Sequence, residues 1–245
     1  MNNELATRRA AEMALDKERH LMNAALARLE KKHGGGKGRL IFALDLTGSR
    51  EHSLKQARVA TTAMFDAIKA LGAVAVKLVY YRGSECRATQ WHDDPAVLAQ
   101  AMRRLSCETG GTQIARVLRL ALDEPEPVSG VVFVGDHCED DPGELRGQAQ
   151  ELGRKSIPLF VFHECADRDE NSIAAKPVFK RMASLSGGVY VEFRNTAGAV
   201  LRELLATVGA LAVAGVEGVN RVALPETPEA RQLQRLLLAA PKGKP

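Results

Sequence analysis

Short apolar runs alternate with longer stretches of helical periodicity between residues 39 and 211. Some runs are continuously apolar, such as 131–134 and 158–162, which is typical of strands buried on both faces of a parallel sheet. The predicted strands are 39–45, 73–81, 85–91, 129–135, 156–163 and 188–193. The predicted helices are 52–71, 95–105, 113–123, 142–153, 174–185 and 197–211. This alternation predicts a doubly wound α/β domain whose six-stranded, mostly parallel sheet is flanked by helices.

One predicted strand differs from the others in its polarity. The segment 85–91 is more polar and follows a tight turn at Arg82-Gly83-Ser84. A short connection of this kind joins antiparallel strands. We therefore predict that 85–91 is an antiparallel edge strand paired with 73–81.

The two ends of the chain follow other patterns. Residues 4–32 contain no Pro or Gly and are rich in Ala, Leu, Glu, Lys and Arg, which predicts a helix. Near the C-terminus, Thr227 can cap a short helix over 228–239, and the tail 241–245 is predicted to be disordered. The predicted organisation is a helical arm with a Gly-rich linker, an α/β domain and a C-terminal extension, over residues 1–38, 39–211 and 212–245.

Composition and charge restrict the expected cellular location of the protein and the kinds of partner it could bind. The N-terminus lacks a signal-peptide pattern, and no run of about 18 apolar residues suggests a membrane span. The four cysteines form no CxxC pair, so free thiols in a cytoplasmic protein are expected. The net charge of +4 is concentrated in residues 1–39, which carry nine Lys or Arg and five Asp or Glu. RNA binding by this arm is one alternative, although the arm has no aromatic residue for stacking on bases.

Oxygen-bearing side chains follow three elements at one predicted edge of the sheet. Asp45 ends the first strand, and Thr47 and Ser49 lie in the turn that follows it. Thr112 precedes a helix behind two glycines, and Asp136 closes the fourth strand. If the first and fourth strands are neighbours, strand order reverses between them, and ligands bind at such a point. Carboxylates and hydroxyls are hard ligands that suit Mg²⁺, Mn²⁺ or Ca²⁺. Each residue also suits a purely structural role as a helix cap or a strand end.

The three segments resemble the von Willebrand factor type A family and its metal-ion-dependent adhesion site. The family pattern is Asp-x-Ser/Thr-x-Ser, then a later Thr, then an Asp at the end of the fourth strand. The resemblance covers about residues 39–211. It implies that Thr47 and Ser49 bind the metal directly and Thr112 directly or through water, while Asp45 and Asp136 act mainly through water. It also implies that a protein partner supplies an Asp or Glu to the metal.

Two positions depart from the family pattern. Arg50 stands where many members carry a hydrophobic residue, and His137 stands where many carry Gly. Both are predicted to contact a partner, and we hypothesise that Arg50 helps to select acidic partners. The acidic run 139–141 is interpreted as a solvated loop, with Asp141 at a helix N-terminus.

Other chemistry is less well supported by the sequence. His137, Cys138, His163 and Cys165 could suit Zn²⁺, but their spacing matches no common zinc pattern, and free thiols with loop histidines are expected instead. A metal-assisted phosphohydrolase at the same sheet edge is an alternative. Aspartyl phosphotransferases resemble Asp-x-Asp-x-Thr, however, and here Thr47 replaces the second carboxylate. The sequence therefore favours a non-enzymatic, metal-dependent interaction module of an intracellular assembly.

Overall fold

The structure is a computed structural model that describes residues 38–51, 54, 74–165, 169–194, 198–221 and 225–238. The predicted N-terminal arm and C-terminal tail lie outside the described residues. The predicted helix 52–71 also lies outside them, apart from Leu54. The rest of the predicted organisation can be compared with the structure.

The described residues form a single six-stranded sheet. Its strands are β1 (Gly38–Asp45), β2 (Val74–Arg82), β3 (Glu85–Ala88), β4 (Gly130–Gly135), β5 (Leu159–Cys165) and β6 (Tyr190–Arg194). Their spatial order is β3-β2-β1-β4-β5-β6. Only the β2–β3 pair is antiparallel, and the other four pairs are parallel. The predicted mixed sheet, with its antiparallel edge strand, is therefore confirmed.

The described helices connect and cover these strands. They are α1 (Pro95–Arg103), α2 (Ile114–Leu122), α3 (Pro142–Arg154), α4 (Glu170–Ser186), α5 (Gly198–Arg221) and α6 (Pro228–Leu238). The N-terminus of α4 lies four residues before the predicted start, because Asp169 accepts hydrogen bonds from the amides of Asn171 and Ser172 and caps the helix there. None of the described helices is both long enough and apolar enough to cross a membrane.

The strands bury side chains on both faces of the sheet, as the continuous apolar runs predict. On one face Leu40, Phe42 and Leu44 of β1 pack in a cluster with residues of α1, α5 and α6. On the other face Ile41 and Ala43 pack with residues of α2, α3 and α4. Alternation along β1 thus divides the core into two layers, and polar groups are placed at the ends of the strands.

The segment after residue 211 packs on the sheet. Helix α5 continues to Arg221 with a break at Ala214 and Gly215, where Gly215 has a positive φ of 59°. Helix α6 follows, and Leu233 and Leu237 are fully buried in it. The carbonyl of Thr227 accepts the amide of Arg231 at 3.0 Å, as at a helix N-terminus.

The first prediction concerns this C-terminal helix. Leu233→Ala should destabilise the protein by about 2–5 kcal/mol, because it removes a fully buried side chain and leaves a cavity. Exposed Gln232 on the same helix is the matched control, and Gln232→Ala should change stability by less than about 0.5 kcal/mol. Urea unfolding midpoints of both variants check this. Equal midpoints would mean that α6 is not part of the cooperative core.

Candidate functional site

The order of the strands reverses between β1 and β4, which are hydrogen-bonded neighbours. Asp45 is the last residue of β1, and Asp136 directly follows β4. Gly135 has no side chain, and this lets the two strand ends approach closely. A Cβ placed at Gly135 would lie only 3.4 Å from the Cβ of Asp45. Strand order therefore reverses between β1 and β4, as the sequence predicts. Asp45 and Asp136 lie on either side of this point, which we call the switch point.

The turn after β1 is built around the carboxylate of Asp45. Its Oδ1 accepts the backbone amide of Thr47 at 2.8 Å and the Thr47 hydroxyl at 2.7 Å. Ser49 Oγ lies 3.1 Å from Thr47 Oγ1, within the short helical turn Gly48–Arg50. The structure thus brings the first three predicted ligand residues together through direct hydrogen bonds.

A residue that the sequence analysis did not single out completes this arrangement. The hydroxyl of Tyr81, on the neighbouring strand β2, donates to Asp45 Oδ2 at 2.9 Å. Burial raises the pKa of Tyr81 well above its ordinary value, and the nearby charge of Asp45 raises it further. The phenol therefore keeps its proton and remains a donor. Both oxygens of Asp45 are held by this chain.

The two aspartates are electrostatically coupled. Asp45 is 1% exposed and Asp136 is 8% exposed. Burial raises the pKa of Asp45 above its ordinary value, and repulsion from Asp136 raises it further. Hydrogen bonds from Thr47 and the charge of Arg50 act in the opposite direction. Oδ1 of Asp136 is buried and has no hydrogen-bond partner among the described residues.

Thr112 is held by the loop that follows Asp136. Its hydroxyl donates to Asp140 Oδ2 at 2.7 Å and accepts the amide of Glu139 at 2.7 Å. Asp140 also accepts the amides of Ile114 and Ala115, at 3.0 and 2.9 Å, and so caps helix α2.

The interpretation of the acidic run as a solvated loop is therefore wrong for Asp140, which is tied to two backbone amides and a hydroxyl. It holds for the end of the run, because Asp141 caps α3 by accepting the amide of Glu144 at 2.7 Å. The spacing of the run after Asp136 did not show which of its carboxylates would turn back toward Thr112.

These hydrogen bonds leave lone pairs for a hard cation. A hydroxyl has one proton and two lone pairs. Thr47 gives its proton to Asp45, and Thr112 gives its proton to Asp140, so each oxygen keeps acceptor capacity. With Oδ1 of Asp136, which has no partner in the described ranges, these hydroxyls are oxygen ligands of the kind that Mg²⁺ or Mn²⁺ would bind while retaining water.

The two predicted partner-contacting residues have partners within the chain. Arg50 is 2% exposed, and its Nη1 forms an ion pair with Glu164 of β5. Its buried guanidinium is therefore not presented to a partner's carboxylate here. His137 is half-buried, and its Nε2 lies 2.6 Å from Asp169 Oδ2. Burial lowers the pKa of His137, but the hydrogen bond to Asp169 and nearby carboxylate charges produce a net increase.

The His and Cys residues considered for zinc do not form a metal site. Within the described ranges, no group of three or more His, Cys, Asp or Glu side chains is arranged to hold a metal ion. The candidate site at the switch point is of a different kind from such a cluster, because three of its five predicted ligand residues are Thr or Ser. All four cysteines are free thiols.

His163 belongs to β5 and is fully buried, so the expectation of a loop histidine is wrong for it. Its Nε2 lies 3.0 Å from the carbonyl oxygen of Asp136, and its Nδ1 lies 2.8 Å from the hydroxyl of Tyr190. With Nε2 protonated, His163 donates to Asp136 and accepts from Tyr190. Burial lowers the pKa of His163, which favours this neutral form. His163 therefore fixes the backbone of a candidate ligand.

Comparison with solved structures places this architecture in a known class. No protein-family pattern and no curated protein matches the sequence. The conserved hypothetical protein BatB from Bacteroides thetaiotaomicron superposes with a TM-score of 0.55 at 17% identity, over 71% of this chain and 99% of that one. The SpRpn10 VWA domain gives 0.53 at 12% identity, over 71% and 95%. The pilus adhesin SpaC from Lactobacillus rhamnosus GG gives 0.59 at 10% identity, over 74% and 30%.

The fold is an open α/β sheet whose strand order reverses between β1 and β4, which is the place where such folds bind ligands. More specifically, the chain has a von Willebrand factor type A-like fold, as the resemblance in the sequence implies. Similarity at these identities establishes the fold alone. Metal binding by Asp45, Thr47, Ser49, Thr112 and Asp136 therefore stays a prediction.

The second prediction concerns the buried charge of Asp45. Because its folded-state pKa is raised, its contribution to stability is fully present below the ordinary pKa of 3.8 and is lost as pH rises through the folded-state pKa. Without divalent cations, Asp45→Asn should therefore stabilise the protein at pH 7, and the gain should disappear toward pH 3. Urea unfolding in chelator across this pH range measures the effect.

Asp123→Asn is the matched control, because Asp123 is exposed at the C-terminal end of α2. Its stability difference from wild type should remain small at every pH. An Asp45→Asn variant that is less stable than wild type at pH 7 in chelator would contradict the proposed cost of burying this charge.

Proposed function

We propose that the protein is a non-enzymatic interaction module in which a divalent cation at the switch point recruits an acidic residue of a protein partner. The observation that carries the proposal is the hydrogen-bonded set Asp45, Thr47 and Ser49 together with the buried Oδ1 of Asp136, for which the described part of the chain provides no donor. A structural cap alone does not account for that oxygen, because a buried acceptor without a donor is costly. A cation, directly or through its water, would satisfy it.

The residues of this chain have separate tasks in the proposal. Thr47, Ser49 and Thr112 would provide the oxygens that face the cation. Asp45 and Asp140 orient two of those hydroxyls by accepting their protons in hydrogen bonds, and groups that are hydrogen-bonded to metal ligands commonly orient them in this way. When bound, Mg²⁺ or Mn²⁺ would supply a positive site with an exchangeable position for a partner's carboxylate. Neutral hydroxyl ligands leave more of the cation's charge for that carboxylate.

One further observation supports an interaction role, and another supports a location inside the cell. The structural neighbours include a protein named as a pilus adhesin and a VWA domain of Rpn10, and adhesion is an interaction function. The four cysteines of the chain are free thiols, as is usual in a reducing compartment. We therefore propose that the partner is an intracellular protein that presents Asp or Glu.

The third prediction is a cation-dependent gain in stability. Mg²⁺ or Mn²⁺ at about 100 times its Kd should stabilise the wild-type protein by roughly 2.7 kcal/mol relative to chelator. For a chain of this size the melting temperature should rise by about 5–10 °C. Ser49→Ala removes one hydroxyl ligand and should greatly reduce the shift. Thermal melts with and without chelator measure it.

Ser84→Ala is the matched control, because Ser84 is also an exposed serine in a turn but lies outside the candidate ligand set. It should keep the full wild-type shift. A wild-type protein whose melting temperature is the same in Mg²⁺, Mn²⁺ and chelator would refute the metal site.

The fourth prediction concerns the partner. A protein partner captured from cell extract in Mg²⁺ should be released by chelator, and Ser49→Ala should fail to capture it while Ser84→Ala retains it. Substituting the partner's contacting Asp or Glu by Ala should abolish binding. Capture that is equal in Mg²⁺ and chelator would show that binding does not use the cation.

A further inference from the structure

A surface groove between helices α2 and α3 adjoins the candidate cation site. Its volume is about 570 Å³. Thr112, one of the candidate ligand residues, lines the groove together with Arg116 and Arg119 of α2 and with Glu144 and Gln148 of α3. A partner that places a carboxylate at the cation therefore has this groove directly beside it.

The two arginines of the groove have no acidic partner in the part of the chain that the structure describes. Arg116 and Arg119 are both exposed. The Nη1 atom of Arg116 donates to the backbone carbonyl of Ser84 at 3.0 Å and to the amide oxygen of Gln113. Neither guanidinium forms an ion pair with a described carboxylate, so both positive charges are free to meet an anion.

The two carboxylates that line the groove are, in contrast, used within the chain. Asp140 accepts the hydroxyl of Thr112 and two backbone amides at the start of α2. Glu144 lies in the first turn of α3 and accepts Nε2 of Gln148 at 3.1 Å. Helix N-termini stabilise negative charge. The charge that the groove offers to an occupant is therefore positive.

Gln148 adds an acceptor that needs a donor. Its side chain is 6% exposed, and because Nε2 donates to the carboxylate of Glu144, the other end of the amide is the oxygen. That Oε1 is buried and has no hydrogen-bond partner within the described ranges, which is unfavourable. A backbone N–H of an occupying segment is a donor of the required kind.

The spacing of the arginines suits an extended segment. Arg116 and Arg119 are three residues apart on α2 and are therefore neighbours on one helix face. With a rise of 1.5 Å per residue, they lie roughly 6 and 10 Å beyond Thr112 along the chain direction of α2. An extended chain rises about 3.3 Å per residue. These distances thus correspond to about two and three residues of an extended partner.

We propose that the groove binds an extended acidic segment of the partner, in which one Asp or Glu contacts the cation and further acidic residues, about two to four positions away, pair with Arg116 and Arg119. The inference rests on the proposed function and names the chemistry of its partner. Exposed ion pairs are individually weak, but complementary charges add specificity and speed association. Selection of an acidic partner is thereby assigned to α2 and not to Arg50, whose side chain is buried.

The test uses three fluorescein-labelled peptides of about twelve residues with a Gly and Ser background. One carries a single Asp, and the other two add Glu at two and four residues after or before that Asp, so that both chain directions are covered. In Mg²⁺, the better of the two three-acid peptides should bind wild-type protein on the order of tenfold more tightly than the single-Asp peptide. Fluorescence anisotropy in Mg²⁺ and in chelator measures the Kd values.

Arg116→Gln combined with Arg119→Gln should remove this preference. The three-acid peptide should lose about tenfold in affinity, while the single-Asp peptide and Mn²⁺ alone bind as to wild type. Arg103→Gln combined with Arg104→Gln is the matched control, because it also removes two exposed arginines but at the end of α1, whose residues pack on the opposite face of the sheet. It should keep the full preference. Arg119→Gln alone should lose about threefold and serves if the double variant does not fold.

The outcomes separate this inference from the proposed function. Binding of the three-acid peptide that is lost in chelator but unchanged by the two α2 substitutions would overturn the groove and leave the cation site intact. Binding that persists in chelator and is lost with those substitutions would support the groove and refute recruitment by the cation. Equal affinity for all three peptides, or tighter binding of an oligouridylate RNA at the same arginines, would overturn the inference, and the thermal melts would still decide the cation site.

Discussion

The carboxylate of Asp45 is the group on which the organisation of the sheet edge depends. It is almost completely buried, so each of its oxygens needs donors, and the chain provides them from two directions. Thr47 supplies an amide and a hydroxyl from the following turn, and Tyr81 supplies a phenol from strand β2. A charge held in this way fixes the direction in which the chain leaves β1, and with it the placement of Ser49.

The topology of the sheet determines why a second carboxylate lies so near. Strand order reverses between β1 and β4, and both strands are parallel, so their carboxyl ends meet at one edge. Gly135 permits the close approach, because a side chain there would collide with the ring of Phe133 and touch Asp45. Burial of Asp45 and Asp136 together is unfavourable for folding, and such local cost is typical of functional sites rather than of simple strand ends.

The sequence predicted the sheet better than it predicted the contacts at its edge. All six strands could be predicted because each is an apolar run or a polar edge strand. The position of the switch point followed from the parallel direction of the strands. The contacts of Tyr81 and His163 with the aspartates could not be predicted in the same way. Each contacts an aspartate that is distant in sequence, and register between strands, rather than any local pattern, brings these groups together.

Two charged residues make contacts that the sequence does not show, for a related reason. Arg50 and Asp140 both stand in polar segments, where the usual expectation is a solvated side chain. In the fold, Arg50 turns inward to Glu164, and Asp140 turns back to Thr112 and the first turn of α2. A run of charged residues in a sequence does not show which side chain will turn inward. That depends on whether another element supplies the N-terminus of a helix or an opposite charge nearby.

The hydrogen-bond directions at the site favour recognition over catalysis. Carboxylates accept the protons of the two threonine hydroxyls, so those oxygens act as acceptors and not as acids. A catalytic use of Ser49 would require a base to remove its proton, whereas its hydrogen-bond partner within the described segments is another hydroxyl, at 3.1 Å. A set of oriented neutral oxygens beside buried carboxylates is suited to holding a cation whose remaining charge attracts an anion. In the proposed function, a partner would need only to offer a carboxylate at the edge of the sheet.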